Sequence, residues 1–289
     1  MWRSDLRRNF VTLSSVRHGR CISDGRTQGG EPATGEATVP YGIYISAEGA
    51  NAQSRRLDVI ANNMANAETV GFKQDVPTFM SRYSEAIQQG LASRNDQSIN
   101  DIGGGVKVIA VTTDFSPGTY EPTSNPLDFA ITGNGFFNIR GDDGKTLLTR
   151  AGNLMLNAQG HLVTESQQQP VLDQQGDPIV LSAQLPWTIS QEGFITQDGR
   201  VKALGISQPK SYDELVKVGN NMFRPLGKVE PVPLAERSIR QGYLERSASD
   251  SVRQMMAMIE STRAFEANSR MIQAHDTTTG TLISRVLRG

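Results

Sequence analysis

Cysteine is nearly absent from this 289-residue chain: the single thiol, Cys21, leaves no intramolecular disulfide and no thiolate metal cluster to hold a fold together. Aromatic residues are scarce at 6% and hydrophobic residues amount to 37%, so a core that is modest for the length is expected. Net charge is close to balanced at −1, which removes the electrostatic case for a nucleic-acid or anionic-membrane partner. No stretch approaches the roughly 18 apolar residues that suggest a membrane span. The only basic bias lies in residues 1–39, where six Arg face Asp5, Asp24, Glu31 and Glu36. Arg7-Arg8 hints at a twin-arginine signal, but Ser14, Ser15, Arg17, His18 and Arg20 interrupt the apolar run that should follow, so no cleaved signal peptide is expected.

Catalytic signatures are missing as well. His18, His161 and His275 fall on three different segments, and none has a second His or a carboxylate at metal-ligand spacing on its own element. There is no G-x-S-x-G elbow and no phosphate-binding G-x-x-x-x-G-K-[ST]; Gly133-Asn134-Gly135 lacks the third glycine and following helix of a dinucleotide fingerprint. Asp142-Asp143 stand at a glycine turn, where Asp is favoured for backbone reasons. No catalytic residue, metal or cofactor is expected. The alternative weighed is an enzyme or carbohydrate-binding β domain with Trp187, Asp142 and Asp143 as its site.

What the chain does have is periodicity at its two ends. Ile43, Ala50, Leu57 and Met64 return every seven residues, with Ile60 and Ala67 beside them, which predicts a helix with a coiled-coil-type face up to Ala67. Met258, Phe265, Ile272, Thr279 and Val286 do the same within a second long helix from about Ala248 to Leu287. Neither stripe has a helical neighbour in sequence, so the two are expected to pair with each other. Between Asn125 and Ile206 short apolar runs alternate with Asp143-Gly144, Gln159-Gly160, Gln175-Gly176 and Asp198-Gly199, the spacing of an all-β module. The runs are 136–139, 147–149, 154–156, 162–164, 179–181, 187–189 and 194–196. The fold class predicted is α+β, with paired terminal coiled-coil-type helices enclosing a mainly β middle domain. The divisions are a disordered extension over 1–39, an N-terminal axial helix over 40–72, an extended arm and β connector over 73–124, the β-rich middle over 125–210, a return β connector over 211–245 and a C-terminal axial helix over 246–289.

Three segments resemble the bacterial flagellar rod and hook family of axial proteins: IYISAEGANAQSRRLDVIANNMANAETVGFK, TSNPLDFAITGNGFFNI followed by LLTRAGNLMLNAQGHLVT, and GYLERSASDSVRQMMAMIESTRAFEANSRMIQAHD. The pair A-N-N-M-A-N-A-x-T-x-G-F-K and R-A-F-E-x-N is the specific part of the match. Size from residue 40 onward and the single β module look like a basal-body rod protein of the FlgF/FlgG type. Ser247-Ala248-Ser249-Asp250, where S-N-V-N is usual before this helix, leans toward the FlgF side.

The resemblance implies a structural subunit of the flagellar basal-body rod, not an enzyme, that polymerises through its terminal helices into the axial drive shaft needed for motility. It implies other rod and hook subunits, copies of the chain itself and the flagellar export apparatus as partners, with no small-molecule substrate and no nucleic acid. The location implied is the periplasm-spanning rod, reached by export without a cleaved signal peptide. Assembly contacts are expected at Ile43, Ala50, Leu57, Ile60, Ala61, Asn62, Asn63, Met64, Asn66, Gly71 and Phe72, and at Met258, Phe265, Glu266, Asn268, Ile272 and Val286. Ala61, Ala65 and Ala67 would allow close helix approach, Asn62, Asn63 and Asn66 would satisfy groups of neighbouring subunits, and Gly71 would take the positive φ that ends the helix. Because the family-like sequence begins at Pro40-Tyr41-Gly42-Ile43, a native start near Val39 is also expected.

Overall fold

The computed structural model of the chain describes residues 41–90, 93, 103–182 and 184–288. The expectations for residues 1–39, a disordered extension and a start near Val39, lie outside these. Helix α1 (Tyr41–Ala65) opens the described chain and helix α3 (Ser251–Val286) closes it, with a one-turn helix α2 (Glu85–Gln88) in the arm between. Helix α3 starts three residues later than the sequence predicts. The reason is Asp250, whose carboxylate accepts from the backbone N–H groups of Val252 (2.9 Å) and Arg253 (3.2 Å) and caps the helix.

The two helices lie against each other, antiparallel. A side chain on Gly42 would run into the His275 ring and one on Gly49 into the Asn268 amide, and Arg56 pairs with Glu260 at 3.7 Å further along. The closest line of approach therefore runs through small and polar residues, Gly42 and Gly49 on α1 against His275 and Asn268 on α3, and Ser46 on α1 and Ser261 on α3 are buried. The predicted column Ile43, Ala50, Leu57, Met64 flanks this line and is half-buried, as are Met258 and Ile272 on the other helix.

The next hairpin, β1 (Asp75–Ser81) with β2 (Val106–Thr113), forms the arm, bulged between Thr78 and Phe79. It packs on α1, where Arg82 donates to the Tyr44 hydroxyl and pairs with Glu48 at 3.5 Å.

The middle is mostly β, as expected from its turn chemistry, with short 3-10 turns at Tyr212–Glu214 and Leu234–Glu236, and is built from β3 (Tyr120–Pro122), β4 (Phe129–Ile131), β5 (Phe136–Arg140), β6 (Thr146–Thr149), β7 (Leu154–Leu156), β8 (Leu162–Thr164), β9 (Trp187–Ile189), β10 (Phe194–Gln197), β11 (Arg200–Ala203), β12 (Ile206–Pro209), β13 (Leu215–Gly219), β14 (Met222–Pro225), β15 (Val229–Pro231), β16 (Ile239–Gln241) and β17 (Tyr243–Glu245). Its largest sheet runs β13-β14-β6-β5-β12-β15, so the segment read as a return connector supplies three of its strands. Residues 179–181, expected as a strand, form only an isolated bridge between Val180 and His161.

Alternation sorts the two faces of this sheet. Phe137, Ile139 and Leu147 point into the main core with Leu162, Ile179 and Leu204, while Phe136, Leu148 and Phe223 form a second cluster under Phe115. The Phe136 and Phe223 rings meet at 5.7 Å and Phe115 stacks on Tyr212 at 4.8 Å. The outer strands β3 and β17 pair with each other, and β4 pairs with β16, which brings the segment just before α3 alongside the segment just after the arm.

Candidate functional site

The chain leaves α1 through a tightly specified turn. Asn66 donates twice to the Asn62 carbonyl, from its backbone N–H (3.2 Å) and from Nδ2 (3.0 Å), and Thr69 Oγ1 donates to Asn66 Oδ1 (3.1 Å). Gly71 then takes φ +66°, as expected, with the Arg150-Ala151 backbone 2.5 Å from where a Cβ would stand. No other residue fits there without moving the middle domain. Asn63 uses both ends of its amide: Nδ2 donates to the Asp75 carbonyl (2.8 Å) and Oδ1 accepts from the Asp75 N–H (2.9 Å). Of the three asparagines expected to reach neighbouring subunits, Asn63 and Asn66 thus make amide hydrogen bonds within the chain, and Asn62 is exposed.

Beyond Gly71 the chain drops into the body of the protein. Its N–H donates to the Glu245 carbonyl at 2.7 Å, Phe72 is buried, and the Lys73 side chain disappears from solvent at 1% exposure. Lys73 Nζ lies 2.6 Å from Glu245 Oε1 and donates to the Ser116 carbonyl at 2.8 Å. The other carboxylate oxygen, Glu245 Oε2, faces Arg150 Nη1 at 3.3 Å, and the Gly118 N–H donates to Oε1 at 3.0 Å. Arg150 in turn donates to the carbonyls of Ile131 (3.0 Å) and Gly133 (2.9 Å), and its guanidinium lies over the Phe136 ring at 5.2 Å.

One buried carboxylate therefore holds two buried cations. Each comes from a different place: Lys73 follows α1, Arg150 belongs to the middle domain and Glu245 precedes α3. Burial pulls the Lys73 amine below its usual range, opposed by the charge of Glu245 beside it. The Tyr120 phenol, which donates to the Ile131 carbonyl at 3.1 Å, is pushed up by burial and by the same carboxylate. A second clamp lies nearby. Lys217 Nζ donates to the Lys73 carbonyl (2.6 Å), pairs with Asp75 (2.7 Å) and stands 4.7 Å over the Phe72 ring, while Asn221 donates to the Val70 carbonyl at 2.9 Å.

Of the residues predicted to make assembly contacts, Ile60, Asn63, Gly71 and Phe72 are buried in the single chain. Ile43, Ala50, Leu57, Met64, Asn66, Met258, Asn268 and Ile272 are half-buried. Ala61, Asn62, Phe265, Glu266 and Val286 are exposed, as is Ala65. Asn268 donates to the Ala264 carbonyl (3.0 Å) and Glu266 pairs with Arg270 (3.4 Å), both within α3. Sequence reasoning missed Lys73, Arg150 and Glu245, although all three stand in the quoted motifs. The available signal was Glu245 itself, a carboxylate in the short strand-like run Tyr243–Glu245.

The alternative site is not assembled. Trp187 packs its ring against Phe129 at 6.1 Å, Asp142 accepts from Gln169 at 2.7 Å, and Asp143 faces Arg224 at 3.5 Å and Lys145 at 3.9 Å. Among the described residues no group of three or more His, Cys, Asp or Glu could hold a metal ion, and no helix is long and apolar enough to cross a membrane.

Two chain ends joined into one long helix pair, and fastened by a buried charge cluster to a β body, define a scaffold subunit. Three family models match in chain order: flagella basal body rod protein over residues 43–73, flagellar hook protein FlgE/F/G D1 domain over 130–203, and flagellar basal body rod FlgEFG protein C-terminal over 240–285. The chain is 32% identical to the flagellar basal-body rod protein FlgG of Agrobacterium fabrum over 81% of its own length and 95% of the relative's. It is 34% identical to FlgG of Caulobacter vibrioides, over 81% and 95% of the two chains, and 31% identical to FlgF of that organism, over 80% and 91%. The chain belongs to the flagellar basal-body rod protein family, FlgF/FlgG type, a family of structural proteins and not of enzymes.

Proposed function

We propose that the chain is a structural subunit of the flagellar basal-body rod that builds the shaft through α1 and α3, packed in coiled-coil fashion against copies of itself and against other rod and hook subunits. The observation that carries this reading is an inversion along α3. Its buried contact with α1 runs through Ser261, Asn268 and His275, while Met255, Met256, Ile259, Met271, Leu282 and Ile283 are at least half exposed. A helix that keeps small and polar residues inside and large apolar ones outside is complete only when something covers the outside.

In this reading the buried cluster of Lys73, Arg150 and Glu245 transmits load between the helix pair and the middle domain. The chain reaches the periplasm-spanning rod through the flagellar export apparatus, without a cleaved signal peptide. Of the two rod types, the FlgF side is favoured by Ser247–Asp250, where Asp250 supplies the cap of α3. The test is mass spectrometry of purified basal bodies together with deletion of the gene. Peptides from residues 103–288 in the rod fraction and loss of flagella on deletion are expected; a normally flagellated deletion strain whose parental basal bodies lack the chain would contradict it.

A further inference from the structure

Gly133-Asn134-Gly135 holds the only Asn-Gly step in the 289 residues and takes no part in the helix pair. It links β4 to β5, and the residues around Asn134 are anchored. Thr132 donates from its N–H to the Ser238 carbonyl (2.8 Å) and from Oγ1 to Ser238 Oγ (2.6 Å). The Gly133 carbonyl accepts from Arg150 Nη2 (2.9 Å), and Phe136 pairs with Ser207. Asn134 alone stands out into solvent.

Gly135 is fixed by the fold. Its φ is +120°, and a Cβ there would lie 2.8 Å from Ile206 Cγ2 and 2.9 Å from Val232 Cγ2. A residue without a side chain is therefore required after Asn134, and its backbone N–H donates to no carbonyl among the described residues. The nitrogen that follows an exposed asparagine amide is thus unhindered and unoccupied. Asn220 gives the contrast: it is also exposed, in the turn between β13 and β14, but Asn221 after it carries a side chain that crowds the intervening nitrogen.

We infer that Asn134 is a spontaneous modification site, converted through a cyclic imide with Gly135 into aspartate and isoaspartate. The Gly135 nitrogen attacks Asn134 Cγ and forms the N–Cγ bond of the imide. The Cγ–Nδ2 bond breaks, and ammonia leaves with the proton of the attacking nitrogen. Solvent water then opens the ring. Cleavage at Cγ restores the main chain and leaves aspartate; cleavage at the main-chain carbonyl leaves isoaspartate, whose backbone passes through Cβ and Cγ and is one carbon longer.

The longer product acts beyond the turn. An added backbone atom between Gly133 and Gly135 must displace one of them, and Gly133 is held by Arg150 while Gly135 is wedged against Ile206 and Val232. Arg150 is the middle domain's member of the buried cluster with Glu245 and Lys73. Isoaspartate at position 134 therefore loosens the joint between the helix pair and the β body, whereas aspartate, exposed and on an unchanged backbone, does not. The modification site stands independently of the rod reading.

The test ages the purified full chain in warm neutral buffer, maps its peptides by mass spectrometry and labels isoaspartate with isoaspartyl methyltransferase. Conversion at Asn134 at least about tenfold faster than at Asn153, Asn157 or Asn220 is expected. Conversion at Asn134 no faster than at Asn220 overturns the site. Asn134→Gln, which would have to close a larger ring, should gain no isoaspartate at this position. After the same treatment the parent should unfold at lower urea in proportion to its isoaspartate, while aged Asn134→Gln and freshly purified Asn134→Asp keep the midpoint of the fresh parent. Equal losses in the aged parent and aged Asn134→Gln would overturn the loosening of the joint and leave the site in place.

Discussion

The middle domain and the helix pair of this chain solve the burial problem in opposite ways. In the middle, Phe137, Ile139, Leu148, Leu162, Ile179 and Leu204 are completely buried. In the helix pair the line of closest approach runs through Gly42 and Gly49 against His275 and Asn268, with Ser46 and Ser261 buried, and many of the large apolar side chains of α3 look outward. Area removed from water stabilises by about 25 cal/mol per Å² of apolar surface, so the first region holds itself together and the second gains little from its own pairing. The lesson is that one chain can carry a finished domain and an unfinished one, joined where Lys73, Arg150 and Glu245 meet.

That joint is where the contrast is easiest to break. Glu245→Gln keeps the shape and removes the carboxylate that bonds both buried cations, so a loss of about 3–5 kcal/mol in urea unfolding is expected. Lys73→Met should cost less, because Glu245 keeps Arg150; equal losses would show that the two cations are not sharing one carboxylate.

Truncation within each region sharpens the comparison. Leu148→Ala in the sheet should destabilise by about 2–5 kcal/mol, whereas Met256→Ala on the exposed side of α3 should stay within about 0.5 kcal/mol, both read from denaturant midpoints of the monomer. A large loss at Met256 in the monomer would mean that its exposure is not the solution state.

Phe265→Asp separates folding from assembly. The ring is 37% exposed beside the helix seam, so its replacement should cost the monomer about 1–2 kcal/mol and leave the β middle folded, yet abolish entry into the rod and motility. Arg270→Gln, which loses only a surface pair with Glu266, should swim nearly as the parent does.

The smallest effect is expected at Asp114. Hydrogen bonds from the Ser116 hydroxyl and N–H, with that from Gln74, hold its carboxyl below the usual range. A carboxyl whose folded-state pKa is depressed adds stability that is present above about 3.8, its ordinary value, and is lost as pH falls through the folded-state value. Asp114→Asn should therefore be slightly less stable than the parent at neutral pH and converge on it in acid; a constant difference across that range would exclude the carboxylate as the cause.

Much of the architecture was legible in the sequence because local rules dictate it. Strands expected at 136–139, 147–149 and 162–164 follow from alternation bounded by Gly-containing turns, whereas the helix ends were legible only to within two or three residues, α1 stopping at Ala65 and α3 starting at Ser251 behind the Asp250 cap. The helix seam was legible only to within one position. Apolar periodicity marks a stripe at Ile43, Ala50 and Leu57, but the closest approach runs one residue over, through Gly42 and Gly49, because backbones draw nearest where side chains are smallest. The buried cluster was out of reach: Lys73 and Glu245 are 172 residues apart, and nothing local couples them. The bonding of Asn63 to the Asp75 backbone was out of reach for a related reason, since the two meet only after the chain turns at Gly71.

Hydrogen exchange of the full chain, measured as a dilute monomer and again in purified rods, tests the contrast most directly. Amides of β5, β6 and β12 should exchange at the rate of global unfolding in both samples. Those of α1 and α3 should exchange orders of magnitude faster in the monomer and become as protected as the sheet in the rod. Helices as protected as the sheet already in the monomer, with no gain on assembly, would contradict the account.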